Sequence, residues 1–157
     1  MPQKRRLLWY ISILLIVLLF CLGIRLMPPS KPGNLGLTDG KLGGCPSSPN
    51  CVSSEANDAA HRVVPIEFTG PMADAREQLI HIVGQLPRTR LVTEKENYLH
   101  FECRSKIFRF IDDLEFYLDA KSKSIQMRSA SRIGYSDLGV NRDRANKIRE
   151  AFQFTRE

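Results

Sequence analysis

The sequence has no P-loop, no dinucleotide-binding glycine fingerprint, no HExxH and no CxxC. Nucleotide cradles, Rossmann cofactor sites, zincin chemistry and thioredoxin-like redox chemistry each need one of those patterns, so none is indicated. Ser47, Ser48, Ser53 and Ser54 lack the GxSxG or SxxK context that activates a serine nucleophile. His61, His81 and His100 form no ligand cluster, so no metal and no cofactor are expected. A large excess of one charge is missing too. The formal net charge is +6, but Lys4, Arg5, Arg6 and Arg25 supply four of the 23 basic residues. The other 19 stand against all 17 acidic residues after Met27, a balance of +2. A segment so near neutrality is not expected to bind nucleic acid.

What is present first is apolar. Residues 7–27 read LLWYISILLIVLLFCLGIRLM, with Ser12 and Arg25 the strongly polar exceptions. About 20 residues at 1.5 Å rise match a hydrocarbon core of roughly 30 Å, so a single-pass transmembrane signal anchor is predicted there. Trp9 and Tyr10 suit the first interface, and Arg25 can snorkel. The alternative is a cleaved signal peptide. The run exceeds the usual apolar region of about 7–15 residues, however, and residues 21–27 offer no good cleavage site. Bulky Phe20 before Cys21 argues against a lipoprotein. Lys4, Arg5 and Arg6 put the N-terminus in the cytoplasm and the domain in a periplasmic or other extracytoplasmic space, although Arg25, Lys31 and Lys41 weaken the asymmetry. The expected organisation is a cytoplasmic basic tail over 1–6, the anchor over 7–27, a Pro/Gly-rich linker over 28–44 and one domain over 45–157.

Cys21 falls in the apolar run, and Cys103 on the apolar side of a strand pattern. Cys45 and Cys51 bracket Pro46-Ser47-Ser48-Pro49-Asn50, a loop stiffened by two prolines. A disulfide across it suits the geometry and requires an oxidising compartment.

Residues 61–68 look like a strand, with Val63, Val64, Ile66 and Phe68. Pro71 opens a helix in which Met72, Ala75, Leu79, Ile82, Val83 and Leu86 share a face, and Pro87 stops it. Strand patterns follow at 90–94, 98–104, 112–118 and 124–129. Leu99, Phe101 and Cys103 alternate with Tyr98, His100, Glu102 and Arg104; Leu114, Phe116 and Leu118 alternate with Asp113, Glu115 and Tyr117. Residues 141–154 read as a helix with Asn141 as N-cap and Ala145, Ile148 and Phe152 inward. The expected fold class is α+β: a two-layer β-α-β-β-β-β-α domain, an antiparallel sheet covered by two helices. That order is similar to TATA-binding-protein-like and helix-grip architectures, a likeness that implies no function.

Two segments carry a resemblance. One is Cys45-Pro46-Ser47-Ser48-Pro49-Asn50-Cys51-Val52-Ser53-Ser54. The other runs Arg128-Ser129-Ala130-Ser131-Arg132-Ile133-Gly134-Tyr135-Ser136-Asp137-Leu138-Gly139-Val140-Asn141-Arg142-Asp143-Arg144, and Asp112-Asp113-Leu114-Glu115-Phe116 lies between them. Together they resemble the DUF1499 family of uncharacterised domains, over nearly the whole chain after the linker. The resemblance implies that these segments belong to one domain. It brings no activity.

The segment 128–144 is the most site-like. Arg128, Arg132, Arg142 and Arg144 offer guanidinium forks for carboxylate or phosphate. Ser129 and Ser131 add hydroxyls, and the helix start near Asn141 adds free N–H groups. These residues form a candidate anion-binding cradle. The alternative is a structural network in which the arginines pair with Asp112, Asp113, Glu115, Asp137 and Asp143. Acid–base chemistry would fall to His100, Asp112, Asp113 or Glu115 if water were excluded, whereas a solvated outer sheet face is the ordinary outcome. The expected function is that of a membrane-anchored accessory or binding domain. Its ligand would be an anionic small molecule, a lipid headgroup or a membrane-protein partner. The alternatives are a hydrolase or transferase at the same pocket, or a structural envelope protein.

Overall fold

A computed structural model describes residues 3–26 and 30–154, apart from the side chains of 3, 4, 20–22 and 24–26. It divides into two compact units, Met1–Ser30 and Lys31–Glu157. The first is one helix, α1 (Gln3–Leu26). Among the described residues, no helix is long and apolar enough to cross a membrane. This overturns the transmembrane anchor over 7–27 and the single-pass localisation drawn from it. The expectations placed on the side chains of Cys21 and Arg25, and on Met27, lie outside the described residues.

The second unit is built on a six-stranded antiparallel sheet. In chain order its strands are β3 (Cys51–Ser53), β4 (Ile66–Glu67), β5 (Thr89–Glu94), β6 (Tyr98–Arg104), β7 (Ile111–Asp119) and β8 (Ser124–Ser131). They run β3-β8-β7-β6-β5 across the sheet, and β4 also pairs with β8. The 61–68 pattern yields only the short β4, because the chain before it turns back at His61 to bond Ser53. A separate hairpin, β1 (Leu37–Thr38) with β2 (Lys41–Leu42), precedes the sheet.

One sheet face is apolar. Leu99, Phe101, Leu114, Phe116, Ile125 and Met127 pack with Ala75, Leu79 and Val83 of α2 (Met72–Gly84) and with Ala145, Ile148 and Phe152 of α3 (Val140–Phe154). Phe101 and Phe116 meet edge to face at 6.1 Å between centroids. Each Leu, Ile, Val, Phe or Met among them contributes roughly 1.5–3 kcal/mol through burial. Pro71 caps α2 from outside the helix, in an extended conformation. Asn141 is not the cap of α3. Asp137 takes that role, accepting the Asn141 N–H at 2.7 Å and the Gly139 N–H at 3.1 Å. Asn141 instead lies inside the helix and fully buried.

The other face is not the solvated surface expected for an antiparallel sheet. Tyr98, His100, Glu102, Asp113, Glu115 and Arg128 are all buried there. Residues 31–44, read from the sequence as linker, belong to the same compact unit as the sheet, and β2 lies against β7 and β8. Leu42 is buried, and its N–H donates to Glu55 Oε2 at 2.8 Å. Gly36, at φ 101° where a side chain would be strained, donates its N–H to Glu115 Oε1 at 2.8 Å. The Cys45–Cys51 disulfide joins the end of this strap to β3.

Candidate functional site

A strand turns successive side chains to opposite faces. The segment 128–132 lies on β8, so its residues split. Arg128, Ala130 and Arg132 face the strap; Ser129 and Ser131 face the helices. The Asp112-Asp113 pair on β7 splits the same way. The residues expected to form one cradle therefore form two clusters.

On the strap side, Arg128 Nη1 donates to Glu115 Oε2 at 2.8 Å, and Tyr98 Oη donates to Glu115 Oε1 at 2.7 Å. Arg132 engages Asp113 through Nε at 2.9 Å and Nη2 at 2.7 Å, and reaches Glu102 Oε1 at 2.7 Å. His100 Nε2 lies 2.8 Å from Asp113 Oδ1, with both side chains 1% exposed. Burial pushes the Asp113 carboxyl up, but the bonds from Arg132 and His100 outweigh it and hold Asp113 below the usual carboxylate range. Glu102 follows the same logic: burial raises it, and Arg90 and Arg132 bring it below the ordinary value. Tyr98 is pushed far up, by burial first and by Glu115 second, and stays protonated. Hydrogen bonding to Asp113 raises Arg132 against the opposing effect of burial. This face thus carries ionised carboxylates matched to guanidinium groups.

A cleft of about 410 Å³ opens beside these pairs. Its strap wall includes Asn34, Gly44 and Pro46, and its sheet wall includes Arg128, Ala130 and Arg132. Ala130 sits between the two arginines on the same strand face, and its small side chain leaves the floor open. Arg128 is 3% exposed, and its Nε is buried with no hydrogen-bond partner. An unsatisfied buried guanidinium nitrogen is costly, and a ligand acceptor would relieve that cost.

On the helix side, Arg144 donates to Ser129 Oγ at 2.9 Å, Asn141 Oδ1 at 2.6 Å and Asp112 Oδ2 at 2.7 Å. Ser131 Oγ donates to Asp112 Oδ1 at 2.6 Å, and Ser129 Oγ to Asn141 Oδ1 at 2.6 Å. Asn141 Nδ2 donates to the Asn50 carbonyl at 3.0 Å and to Ser131 Oγ at 3.1 Å. The Asn50 carbonyl also accepts the Ser131 N–H at 3.0 Å, and Asn50 Nδ2 donates to the Gly134 carbonyl at 2.6 Å. The two long motifs thus meet at Asn50. Arg142 stands apart and holds the carbonyls of Ala60 and Arg62.

Asn50, Gly36, Tyr98 and Ala130 were not singled out from sequence as site residues. Ala130 had a local signal, a small residue flanked by Arg128 and Arg132 at strand spacing. Asn50 and Gly36 had none, since their partners lie about 80 residues away in the chain. Among the described residues, no group of three or more His, Cys, Asp or Glu is disposed to hold a metal ion.

These features define a two-layer α+β domain with a strapped, charge-paired outer face. The chain belongs to the DUF1499 family, described as proteins of unknown function, whose family model matches residues 41–152. No curated protein matches the sequence.

Proposed function

We propose that this domain is a binding module for a small anionic molecule, held in the cleft between the strap and β8. The observation that carries this reading is Arg128, a buried cation beside the cleft with an unused Nε donor. Its Nε edge suits a carboxylate taken side-on. An acid catalyst is less well supported there, because Asp113 is held ionised by Arg132 and His100. A structural brace is the second reading, favoured by the protein partners that Arg128, Arg132, Arg142 and Arg144 all have.

Removing Arg128 would leave Glu115 buried and unpaired, so the informative substitution is Ala130→Leu, which fills the floor and keeps every ion pair. The full chain is titrated with acetate, citrate and phosphate while amide resonances are followed by NMR. Saturable shifts at Arg128, Ala130 and Arg132, weakened at least tenfold by Ala130→Leu, are expected. Absence of saturable shifts there, or unchanged affinity in Ala130→Leu, would overturn the binding reading and leave the brace.

A further inference from the structure

A second recess, of about 430 Å³, lies on the helix-covered side, where β6 ends and β7 begins. Arg88, Arg104, Lys106, Arg144 and Lys147 line it against two acids, Asp112 and Asp143. Asp112 is already paired with Arg144, so the recess is basic. Among the described residues, the ammonium groups of Lys106 and Lys147 have no ion-pair partner. Directly after Lys106 the chain turns apolar. Lys106 opens the loop that continues Ile107-Phe108-Arg109-Phe110, in which Ile107 is 73% and Phe108 65% exposed. Phe108 stacks on Phe110 at 5.3 Å, and the loop is closed by Phe110 N–H to Ser105 Oγ and Ser105 N–H to the Phe110 carbonyl. The aromatic tip is therefore built, not frayed. Val140, half exposed, lines the recess from the start of α3.

An apolar patch of this kind marks an interaction site, and its attachment to a basic recess limits what fits. Free phosphate would leave the patch uncovered. An uncharged lipid would leave the ammonium groups unused. We infer that this end of the domain binds an anionic amphiphile, a phosphate or carboxylate head on an alkyl chain. The head sits between Lys106 and Lys147, and the chain lies over Ile107, Phe108 and Val140. The site is independent of the Arg128 cleft, which lies on the opposite face of the sheet.

The test uses the full chain and amide-resolved NMR, so that any association with α1 is read separately. Inorganic phosphate, octyl glucoside and a hexyl-to-octyl phosphate series are titrated, each below micelle formation. Octyl phosphate is expected to shift residues 105–110, 140 and 147 saturably, at least tenfold more tightly than inorganic phosphate. Affinity should rise by up to about fourfold per added methylene. The paired change Lys106→Glu with Lys147→Glu should abolish binding at an unchanged thermal midpoint, and Phe108→Ser should remove the chain-length dependence. Equal affinity for inorganic and octyl phosphate, equal affinity for octyl glucoside, or full affinity in the double lysine variant would each overturn the inference.

Discussion

The inner face of the sheet carries Leu99, Phe101, Leu114, Phe116, Ile125 and Met127; the outer face carries Tyr98, His100, Glu102, Asp113, Glu115 and Arg128. Both sets are buried, on the same three strands and in the same registers. The inner set needs only to be removed from water, and two amphipathic helices do that. The outer set is buried at a desolvation cost that only matched partners offset. Close packing therefore explains the inner face, and pairwise complementarity the outer. An error of one group on the outer face leaves a charge stranded, whereas an error on the inner face leaves a cavity.

The sharpest way to break this comparison is to strand a charge. Glu115→Leu is expected to cost about 3–5 kcal/mol, since Arg128 is left buried and unpaired. Adding Arg128→Met should return a large part of that loss. The remainder reflects the orphaned Tyr98 hydroxyl and Gly36 amide, at about 1–3 kcal/mol each. Urea denaturation of the two single variants and the double variant measures this; additive losses would mean that the two groups do not act as a pair. On the inner face, Leu114→Ala should cost about 2–5 kcal/mol by leaving a cavity. There, a second apolar deletion far from the first should simply add.

Cys51→Ser, which frees the strap from β3, is expected to cost about 2 kcal/mol for so short a closed loop. Hydrogen exchange should then rise at residues 31–46 and stay unchanged on the inner-face strands. Protection lost equally on both faces would blur the distinction. The smallest effect is on pH. Asp113 and Glu102 are held below their ordinary values, so they bind protons more readily in the unfolded chain. Their stabilisation is present above the usual carboxylate range and is lost as pH falls through their lowered folded-state values. Asp113→Asn should therefore give a shallower loss of stability in acid than the parent chain, measured by denaturant titration at a series of pH values.

Much of the inner face was legible because its signal is local. Alternation at 98–104 and 112–118 told which side chains share a face, and the three- and four-residue spacing of Ala75, Leu79 and Val83 marked a helix. The outer face was misjudged as solvated. Alternation assigns a residue to a side but does not say what covers that side, and the cover here is the strap at 31–44. The candidate cradle meets the same limit. Its residues are close in sequence, yet β8 sends Arg128 and Arg132 to one face and Ser129 and Ser131 to the other. The apolar run at the start of the chain, read as a membrane anchor, is contradicted among the described residues.

The sequence by itself determined the alternating strands, the amphipathic helices, the pairing of Cys45 with Cys51 across their proline-stiffened loop, and membership of the DUF1499 family. Each depends on residue types at short, fixed spacing. Only the tertiary structure decided that the outer face is dry, that Glu115 is shared by Gly36, Tyr98 and Arg128, and that Asn50 joins the two long motifs. Those outcomes depend on which distant segment covers a surface, and a buried charge is tolerated only where that segment and the neighbouring strands bring every partner at once.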